Sequence, residues 1–443
     1  MSHLIKPLLN SELPNIAYGK GIYLFDDTGK CYMDACSGAI TANIGHAVPE
    51  IISAMHQQMQ KISFTYRSQF TNEPAERLAE RLHNWAESLG DYAVFFVNSG
   101  SEATETALKM VWQAAQERGE TKRKIVISRQ SSYHGITMGA LQVSMHQARR
   151  KPFLHLLEEQ KALPTPICIR CPLHHQFPQC AHACLDPLEA YIAAYGAEQI
   201  VAVITEPIVG AAGSALVPPS GYDQKLADIC QKHGITWIAD EVMCGMGRSG
   251  AKFAVMQSGA SPDVILLGKG LAAGYAPLAA VLVKKELIRP IERGSGIIMA
   301  GHTHCANPMA TAAGLAVLEY MESHDLIKNA DNQGKKLKSA LRELEKSYEW
   351  ITDVRGNGLL IGIEWSLPHL KNAPQPLTNA QLIADAFRDG MLLYPSGSSS
   401  DDIWPGILVA PPLTINDEEV AELIQWFERW FRKIAPQFGG ASS

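Results

Sequence analysis

From about residue 92 the chain alternates short apolar segments with helical segments, and this alternation restricts its fold more than any other feature. Two clear helix candidates, Glu102–Arg118 and Tyr222–His233, lie between predicted strands. Continuous apolar strands separated by helices are typical of a parallel sheet that is covered on both faces. We therefore expect an α/β fold. Its predicted strands are Ala93–Val97, Lys124–Ser128, Val201–Thr205, Thr236–Ala239, Val264–Leu267 and Pro277–Val283.

The two ends of the chain predict a second, smaller α+β domain. Near the N-terminus the strands Gly21–Phe25 and Cys31–Met33 flank a turn, and a helix follows from Pro49 to Lys61. After about residue 305 the pattern is helical to Tyr348. Two short strands follow, around Ile351–Val354 and Leu359–Trp365, and then two helices, at Gln381–Arg388 and Asp417–Ile434. The predicted parts are an N-terminal segment at 1–60 that belongs to the small domain, a large domain at 61–325 and a C-terminal small domain at 326–443.

Composition excludes several classes of protein. Hydrophobic residues make up 46% and charged residues 19% of the 443 residues, as in ordinary globular proteins. The net charge of −6 argues against a nucleic-acid partner, which favours a basic face. No apolar run is long enough to predict a membrane span, and the first residues lack the pattern of a secretory signal. With nine cysteines, an odd count, we expect reduced thiols and a cytoplasmic location.

Polar residues follow four of the predicted strands. In open α/β sheets, ligands bind outside the carboxyl ends of the strands. Residues at these ends are therefore expected to converge on one crevice. They are Ser99-Gly100-Ser101, Glu206, Asp240 and Lys269.

The segment Ser99-Gly100-Ser101 precedes a predicted helix, whose free N–H groups and positive dipole end suit a phosphate. The alternative is a plain capping box that ends at Glu102. Lys269 lies between two glycines, where a desolvated amine would be nucleophilic. The alternative for Lys269 is a solvated lysine in a turn.

Asp240 ends a buried strand, where a carboxylate needs a cationic partner or several donors. A protonated pyridine nitrogen would be such a partner, and the alternatives are a helix cap or a structural salt bridge. The ring of Tyr133, in Tyr133-His134-Gly135, could stack on a planar cofactor or simply belong to the core.

Two further motifs suggest other functions. The segment 245–250 matches G-x-G-x-x-G, but it does not directly follow a strand and no helix opens there, so we reject a dinucleotide site. Cys168, Cys171, Cys180 and Cys184 could close a zinc site. The middle gap of eight residues is short for a zinc ribbon, and we expect four reduced thiols and no metal.

Taken together, the motifs resemble those of the class III aminotransferases of fold type I, in the family's order and over nearly the whole chain. The segments that carry the resemblance are Asn98-Ser99-Gly100-Ser101-Glu102-Ala103, Ser132-Tyr133-His134-Gly135, Glu206-Pro207, Asp240-Glu241-Val242 with 245–250, Gly268-Lys269-Gly270 and Gly301-His302-Thr303.

The resemblance implies pyridoxal 5′-phosphate (PLP) as the cofactor. Lys269 would hold PLP as a Schiff base, Asp240 would keep its pyridine nitrogen protonated, and Glu206 would be the family's active-site glutamate. The other residues implied to bind PLP are Ser99, Gly100 and Ser101 at the phosphate, Tyr133 with His134 and Gly135 at the ring, Val242 under the ring, and Thr303 at the phosphate of the neighbouring subunit's cofactor.

The fold implied by the resemblance is a mixed, mostly parallel seven-stranded sheet with helices on both faces, plus the smaller α+β domain. The implied assembly is a homodimer with shared active sites. The implied reaction is transfer of an amino group from an amine or ω-amino acid to a small 2-keto acid such as pyruvate. The alternatives are a decarboxylase, aminomutase or phospho-lyase of the same fold, a PLP-binding regulator, and a zinc-dependent interaction module.

The substrate carboxylate needs a cation, and several family members place an arginine beside a Pro-Pro-Leu segment. Here that segment, Pro411-Pro412-Leu413, has no arginine near it. Either the carboxylate of the keto acid is bound elsewhere, or the donor is an amine whose far end is not a carboxylate. Arg67, which lies between the two predicted domains, is the candidate for the first case, and the alternative for Arg67 is a solvated surface arginine.

Overall fold

The computed structural model describes residues 3–9, 11–373, 377–397 and 405–438. A seven-stranded sheet lies at its centre. Six of its strands run parallel to one another, and β10 runs antiparallel to both of its neighbours. The predicted mixed, mostly parallel sheet is therefore confirmed. In spatial order the strands are β4 (Tyr92–Val97), β10 (Ala279–Lys284), β9 (Val264–Leu267), β8 (Thr236–Asp240), β7 (Ile200–Thr205), β5 (Ile125–Arg129) and β6 (Ala162–Leu163).

Two smaller antiparallel sheets come from the ends of the chain. The first consists of β1 (Ile16–Lys20), β2 (Tyr23–Asp26) and β3 (Cys31–Met33). The second has the spatial order β11 (Ile351–Asn357), β12 (Leu360–Trp365), β14 (Gly406–Val409) and β13 (Tyr394–Ser396). Met33 pairs with Met391, so the N-terminal sheet contacts the C-terminal part of the chain.

Helices cover the sheets. The α-helices of the described residues are α1 (Ser37–Ile40), α2 (Pro49–Lys61), α3 (Glu73–Ala86), α4 (Gly100–Glu117), α5 (Met138–Val143), α6 (Gln147–Arg150), α7 (Asp186–Tyr195), α8 (Tyr222–His233), α9 (Lys285–Arg293), α10 (Pro308–Ser323), α11 (Leu326–Glu345), α12 (Leu367–Asn372), α13 (Asn379–Arg388) and α14 (Asp417–Ile434). Short 3-10 helices lie at Glu87–Leu89, Lys151–Leu156, Ala183–Leu185, Ala197–Gln199, Ala254–Ser258, Lys269–Leu271 and Ala435–Phe438. No helix in the described ranges is long and apolar enough to cross a membrane.

A buried arginine joins the two ends of the chain to the central sheet. The guanidinium of Arg248 donates to the carbonyls of Leu359 and Pro411, to the hydroxyl of Ser37 and to the amide oxygen of Asn43. An ion buried in this way needs several acceptors, and these four bonds satisfy both Nη atoms. These bonds hold N-terminal and C-terminal segments together, as one small domain would require, while the predicted domain limits stay a prediction.

Candidate active site

The carboxyl ends of the parallel strands open into a cavity of about 240 Å³. Nearly all of the residues that the sequence singled out line it. The lining residues are Ser99, Gly100, Ser101, Tyr133, His134, Gly135, Arg149, Glu206, Ala211, Asp240, Val242, Met243, Lys269 and Tyr394. The sequence therefore located the site through the rule that ligands bind where parallel strands end.

The first turn of α4 forms one wall of the cavity. Ser99 is the N-cap, and its hydroxyl accepts a hydrogen bond of 3.2 Å from the backbone of Glu102. Ser99 therefore caps the helix, as the alternative of a plain capping box predicted, but the cap satisfies only the N–H of Glu102. Within the described ranges no group accepts a hydrogen bond from the backbone N–H of Gly100 or Ser101. Free N–H groups at a helix N-terminus form a site for an anion such as a phosphate.

Gly100 is required for the close approach of α4 to the floor of the cavity. A Cβ atom built on Gly100 would lie 2.9 Å from a methyl carbon of Val242. Because carbon atoms do not approach so closely, any larger residue would push the helix away from β8. The site therefore depends on glycine at this position.

Asp240 lies at the end of β8 and is 4% exposed. One carboxylate oxygen accepts from the backbone N–H of Val242 at 3.1 Å, and the other contacts Nδ1 of His134 at 2.7 Å. His134 is buried too, and its Nε2 has no partner among the described residues. The two contacts fix the plane of a carboxylate that lines the cavity, as a partner for a cationic ring nitrogen needs.

Glu206 follows β7 and orients the aromatic segment. Its carboxylate accepts hydrogen bonds from the backbone of Tyr133 at 2.9 Å and from the backbone of Gly210 at 3.0 Å. Burial raises the pKa of Glu206, while its electrostatic interaction with His134 opposes that rise. This geometry makes Glu206 a support for the position of Tyr133 as well as part of the cavity wall.

Lys269 follows β9 in a strained backbone conformation. Its φ of +43° lies in the left-handed region, which costs a residue with a Cβ atom about 1–2 kcal/mol. Burial lowers the pKa of its amine, and the carboxylates of Asp240 and Glu206 counteract that effect. Because its pKa is lowered, the neutral form of this amine is more accessible than that of a solvated lysine. Backbone strain of this kind persists where the surrounding structure maintains it, and it clusters at functional sites.

Two predicted residues lie outside the cavity. Thr303 is exposed and does not line it, so any contact with a cofactor would be made in another subunit. Arg67 does not line it either. Its guanidinium donates to the carbonyl of Ala300 at 2.7 Å and lies 5.1 Å from the ring centre of Phe95. Arg67 therefore does not reach the cavity of its own chain, and its role at the substrate carboxylate stays a prediction.

Four lining residues were not predicted: Ala211, Met243, Tyr394 and Arg149. Tyr394 comes from β13 of the small C-terminal sheet, about 125 residues after Lys269, so no local pattern connects the two. For Arg149 a signal exists in the pair Arg149-Arg150, shortly after the aromatic segment, but it does not tell which arginine faces the cavity.

The four clustered cysteines line a separate cavity of about 20 Å³, together with His175 and His182. They are free thiols, and burial raises the pKa of Cys184 to about 11. Among the described residues no group of three or more His, Cys, Asp or Glu side chains is placed so that it could hold a metal ion. That the cluster is metal-free stays a prediction.

The cavity has the chemical features that PLP requires. The free N–H groups of α4 suit its phosphate, Asp240 suits its ring nitrogen, and the amine of Lys269 suits its aldehyde. Tyr133 and Val242 line the same cavity and offer apolar surface to a ring. The donor set therefore fits this cofactor.

Comparisons with known proteins agree with that fit. The family model described as aminotransferase class III matches residues 10–431. The chain is 44% identical to the uncharacterized aminotransferase YodT of Bacillus subtilis strain 168, over 96% of each chain. It is 29% identical to the taurine–pyruvate aminotransferase of Rhodobacter capsulatus, over 97% of this chain and 94% of that one.

Solved structures give the same result. An amine transaminase from an uncultivated Pseudomonas species, crystallised with PLP bound, superposes with a TM-score of 0.89 and 34% identity. The alignment covers 98% of this chain and 99% of that one. Likeness over the full length means that the whole fold is shared, including both smaller sheets.

Proposed function

The chain belongs to the class III aminotransferases, and from this membership we propose that it moves an amino group from an amine or ω-amino acid to a small 2-keto acid such as pyruvate. The observation that carries the proposal is one cavity in which Lys269, Asp240 and the free N–H groups of α4 meet. Similarity to an amine transaminase and to a taurine–pyruvate aminotransferase supports the donor and acceptor classes.

PLP is the cofactor of this family, and when bound it supplies an electron sink conjugated with the amino group of the substrate. In our proposal Lys269 binds its aldehyde carbon, and Asp240 pairs with its ring nitrogen. The backbone N–H groups of Gly100 and Ser101, with the hydroxyls of Ser99 and Ser101, hold its phosphate. Tyr133, with His134 and Gly135, and Val242 line the same cavity and would hold the ring.

The amine of Lys269 also moves the proton of the reaction. With PLP bound, the neutral amine of Lys269 would take a proton from the substrate carbon that bears nitrogen and would return it at the cofactor. Its lowered pKa supports this role, because a base acts in its neutral form and burial favours that form. Glu206 keeps Tyr133 in place through the backbone bond of 2.9 Å.

The half-reaction tests the proposed function. Holoenzyme mixed with an amine or ω-amino acid alone should lose the visible absorbance of the bound cofactor, and pyruvate should restore it with release of alanine. Release of carbon dioxide, release of phosphate, or isomerisation of the donor without any keto acid would instead support the decarboxylase, phospho-lyase or aminomutase alternatives. If none of the amines and ω-amino acids changed the visible absorbance of the holoenzyme, the proposal would be contradicted.

We further propose that the working unit is a homodimer. The segments at 62–70 and 297–304 lie side by side, joined by the bond from Arg67 to Ala300 and by an edge contact between Phe64 and His304. The exposed apolar side chains on these two segments are Ile62, Phe64, Tyr66, Phe70, Ile297 and Met299. A surface of this kind beside Thr303 suits a second copy of the chain, whose cofactor Thr303 would reach.

Sedimentation or light scattering should therefore give twice the mass of the chain, which is 48.4 kDa. Thr303→Ala should bind PLP more weakly and keep the dimeric mass. Met299→Asp should shift the enzyme toward monomer, with loss of activity, since it places a charge in an apolar interface. A fully active monomer would contradict the proposal.

A further inference from the structure

We propose that Arg149 is the residue that binds the carboxylate of the substrate in this enzyme. This inference rests on the proposed function and adds the chemical class that the site selects. Arg149 and Lys269 are the two cationic side chains among the described residues that line the cavity. Lys269 is committed to the cofactor, so Arg149 is the cation left for the substrate.

The guanidinium of Arg149 has no competing partner. Among the described residues no carboxylate lies within ion-pair distance of it, and none accepts a hydrogen bond from its side chain. Its carbon Cζ lies 4.5 Å from the centre of the Tyr133 ring. Stacking on an aromatic face holds the plane of a guanidinium while its N–H groups stay available for a ligand.

The neighbouring arginine explains why Arg149 faces the cavity. Nη1 of Arg150 is buried and donates to the carbonyl of Gln142 at 2.9 Å and to that of Ser144 at 2.5 Å. Successive residues of a helix project about 100° apart. Because Arg150 is fixed inward onto the backbone, the turn of α6 presents Arg149 on a different face, beside Tyr133. Arg150 therefore stabilises the turn through its hydrogen bonds to the backbone, and Arg149 remains available to bind a ligand.

A carboxylate is the anion that matches this geometry. A guanidinium presents two parallel N–H groups that pair with both oxygens of a planar carboxylate. The 2-keto acid acceptor and an ω-amino acid donor both carry such a group, and an uncharged amine does not. The enzyme should therefore discriminate between β-alanine and propylamine, which differ in the acid group and have the same chain length.

The test compares Arg149→Met and Arg149→Lys with the wild-type holoenzyme. Arg149→Met should raise the KM for pyruvate and for β-alanine by about 10- to 100-fold, as expected for the loss of a hydrogen bond to a charged group. The KM and kcat for propylamine, extrapolated to saturating pyruvate, should change little. Arg149→Lys should restore part of the pyruvate affinity, because it keeps the charge and loses the paired N–H geometry. Arg289→Met, which removes an exposed arginine of α9, is the matched control.

The outcomes separate this inference from the proposed function. If wild-type enzyme transfers no amino group from either donor, the proposed function fails. If wild-type enzyme is active and both Arg149 variants weaken propylamine and β-alanine equally, or leave both unchanged, the assignment of Arg149 is overturned while the function stands. A selective rise in the KM for pyruvate in Arg67→Met, with none in Arg149→Met, would overturn it in favour of Arg67. The visible absorbance of bound cofactor verifies that each variant is folded.

Discussion

Replacement of Lys269 by alanine is expected to abolish turnover and to release the cofactor on dialysis. In the proposed mechanism the variant loses both the amine that binds the cofactor aldehyde and the base that moves the proton. General acid–base catalysis alone contributes about 10²- to 10⁴-fold to a rate. We therefore expect the rate of amino transfer to fall by at least that factor and the visible absorbance of the holoenzyme to disappear. Absorbance after exhaustive dialysis and single-turnover kinetics measure the two effects.

Lys285→Ala is the control for the loss of a lysine. Lys285 is exposed at the start of α9, pairs with Asp91 at 2.8 Å and does not line the cavity. The Lys285→Ala variant should keep both the visible absorbance of the bound cofactor and its rate of amino transfer. If Lys269→Ala kept its absorbance and its activity, Lys269 would not be the cofactor lysine.

The protonation state of Lys269 predicts a pH dependence for reloading of the cofactor. The aldehyde reacts with the neutral amine, so the rate rises with pH until the amine is fully deprotonated. Burial lowers the pKa of Lys269 below the ordinary lysine value of 10.5. Apoenzyme mixed with PLP should therefore reach its maximal rate at a lower pH than a solvated lysine allows. A rate still rising through pH 10.5 would contradict this environment.

The large sheet and several helices could be predicted because their patterns are local. The limits of α8 and α14 agree with those predicted from the sequence to the residue. Each helix buries one stripe of apolar residues, and the helical pattern of the sequence stops where the helix ends. The buried strand β9 is apolar throughout, and β7 is apolar up to its last residue, Thr205, as is typical of strands covered on both faces. The order of such strands then predicts where their polar ends meet.

The strands β13 and β14 were not predicted, because their pairing is long-range. β13 has three residues and includes Pro395, which is tolerated since this strand lies at the edge of its sheet. β14 follows residues 398–404, which lie outside the described ranges. Neither segment carries enough periodicity to be recognised, so the contribution of Tyr394 to the cavity could not be foreseen.

The choice between Arg67 and Arg149 shows the same limit for the site. Arg67 was selected for its place between the predicted domains, but it does not line the cavity of its own chain, and its guanidinium donates to the carbonyl of Ala300. Arg149 is available because the guanidinium of Arg150 binds the backbone instead and because the ring of Tyr133 lies against the guanidinium of Arg149. Sequence identifies which residue types can bind a carboxylate, and only the fold decides which of them has no other partner.

Asp240→Asn is expected to fold and to retain the cofactor, while its rate of amino transfer falls by two to four orders of magnitude. Asparagine has the shape of aspartate and can still accept from the backbone of Val242, which lies 3.1 Å from the native carboxylate. It lacks the charge that, in the proposed mechanism, keeps the ring nitrogen of the cofactor protonated. Removal of one partner from a buried ion pair costs about 3–5 kcal/mol. Each 1.36 kcal/mol is about a factor of ten in rate, so the expected loss is about 10²- to 10⁴-fold.

Asp223→Asn provides the matched control for this substitution. Asp223 is also a buried aspartate, 6% exposed, but it lies on α8 and does not line the cavity. The change is the same in chemistry and similar in burial, so a general cost of removing a buried charge would affect both variants. Single-turnover rates with a saturating donor should fall in Asp240→Asn and stay close to wild type in Asp223→Asn. Equal losses in the two would mean that Asp240 acts through stability, and the ring nitrogen would then need another partner.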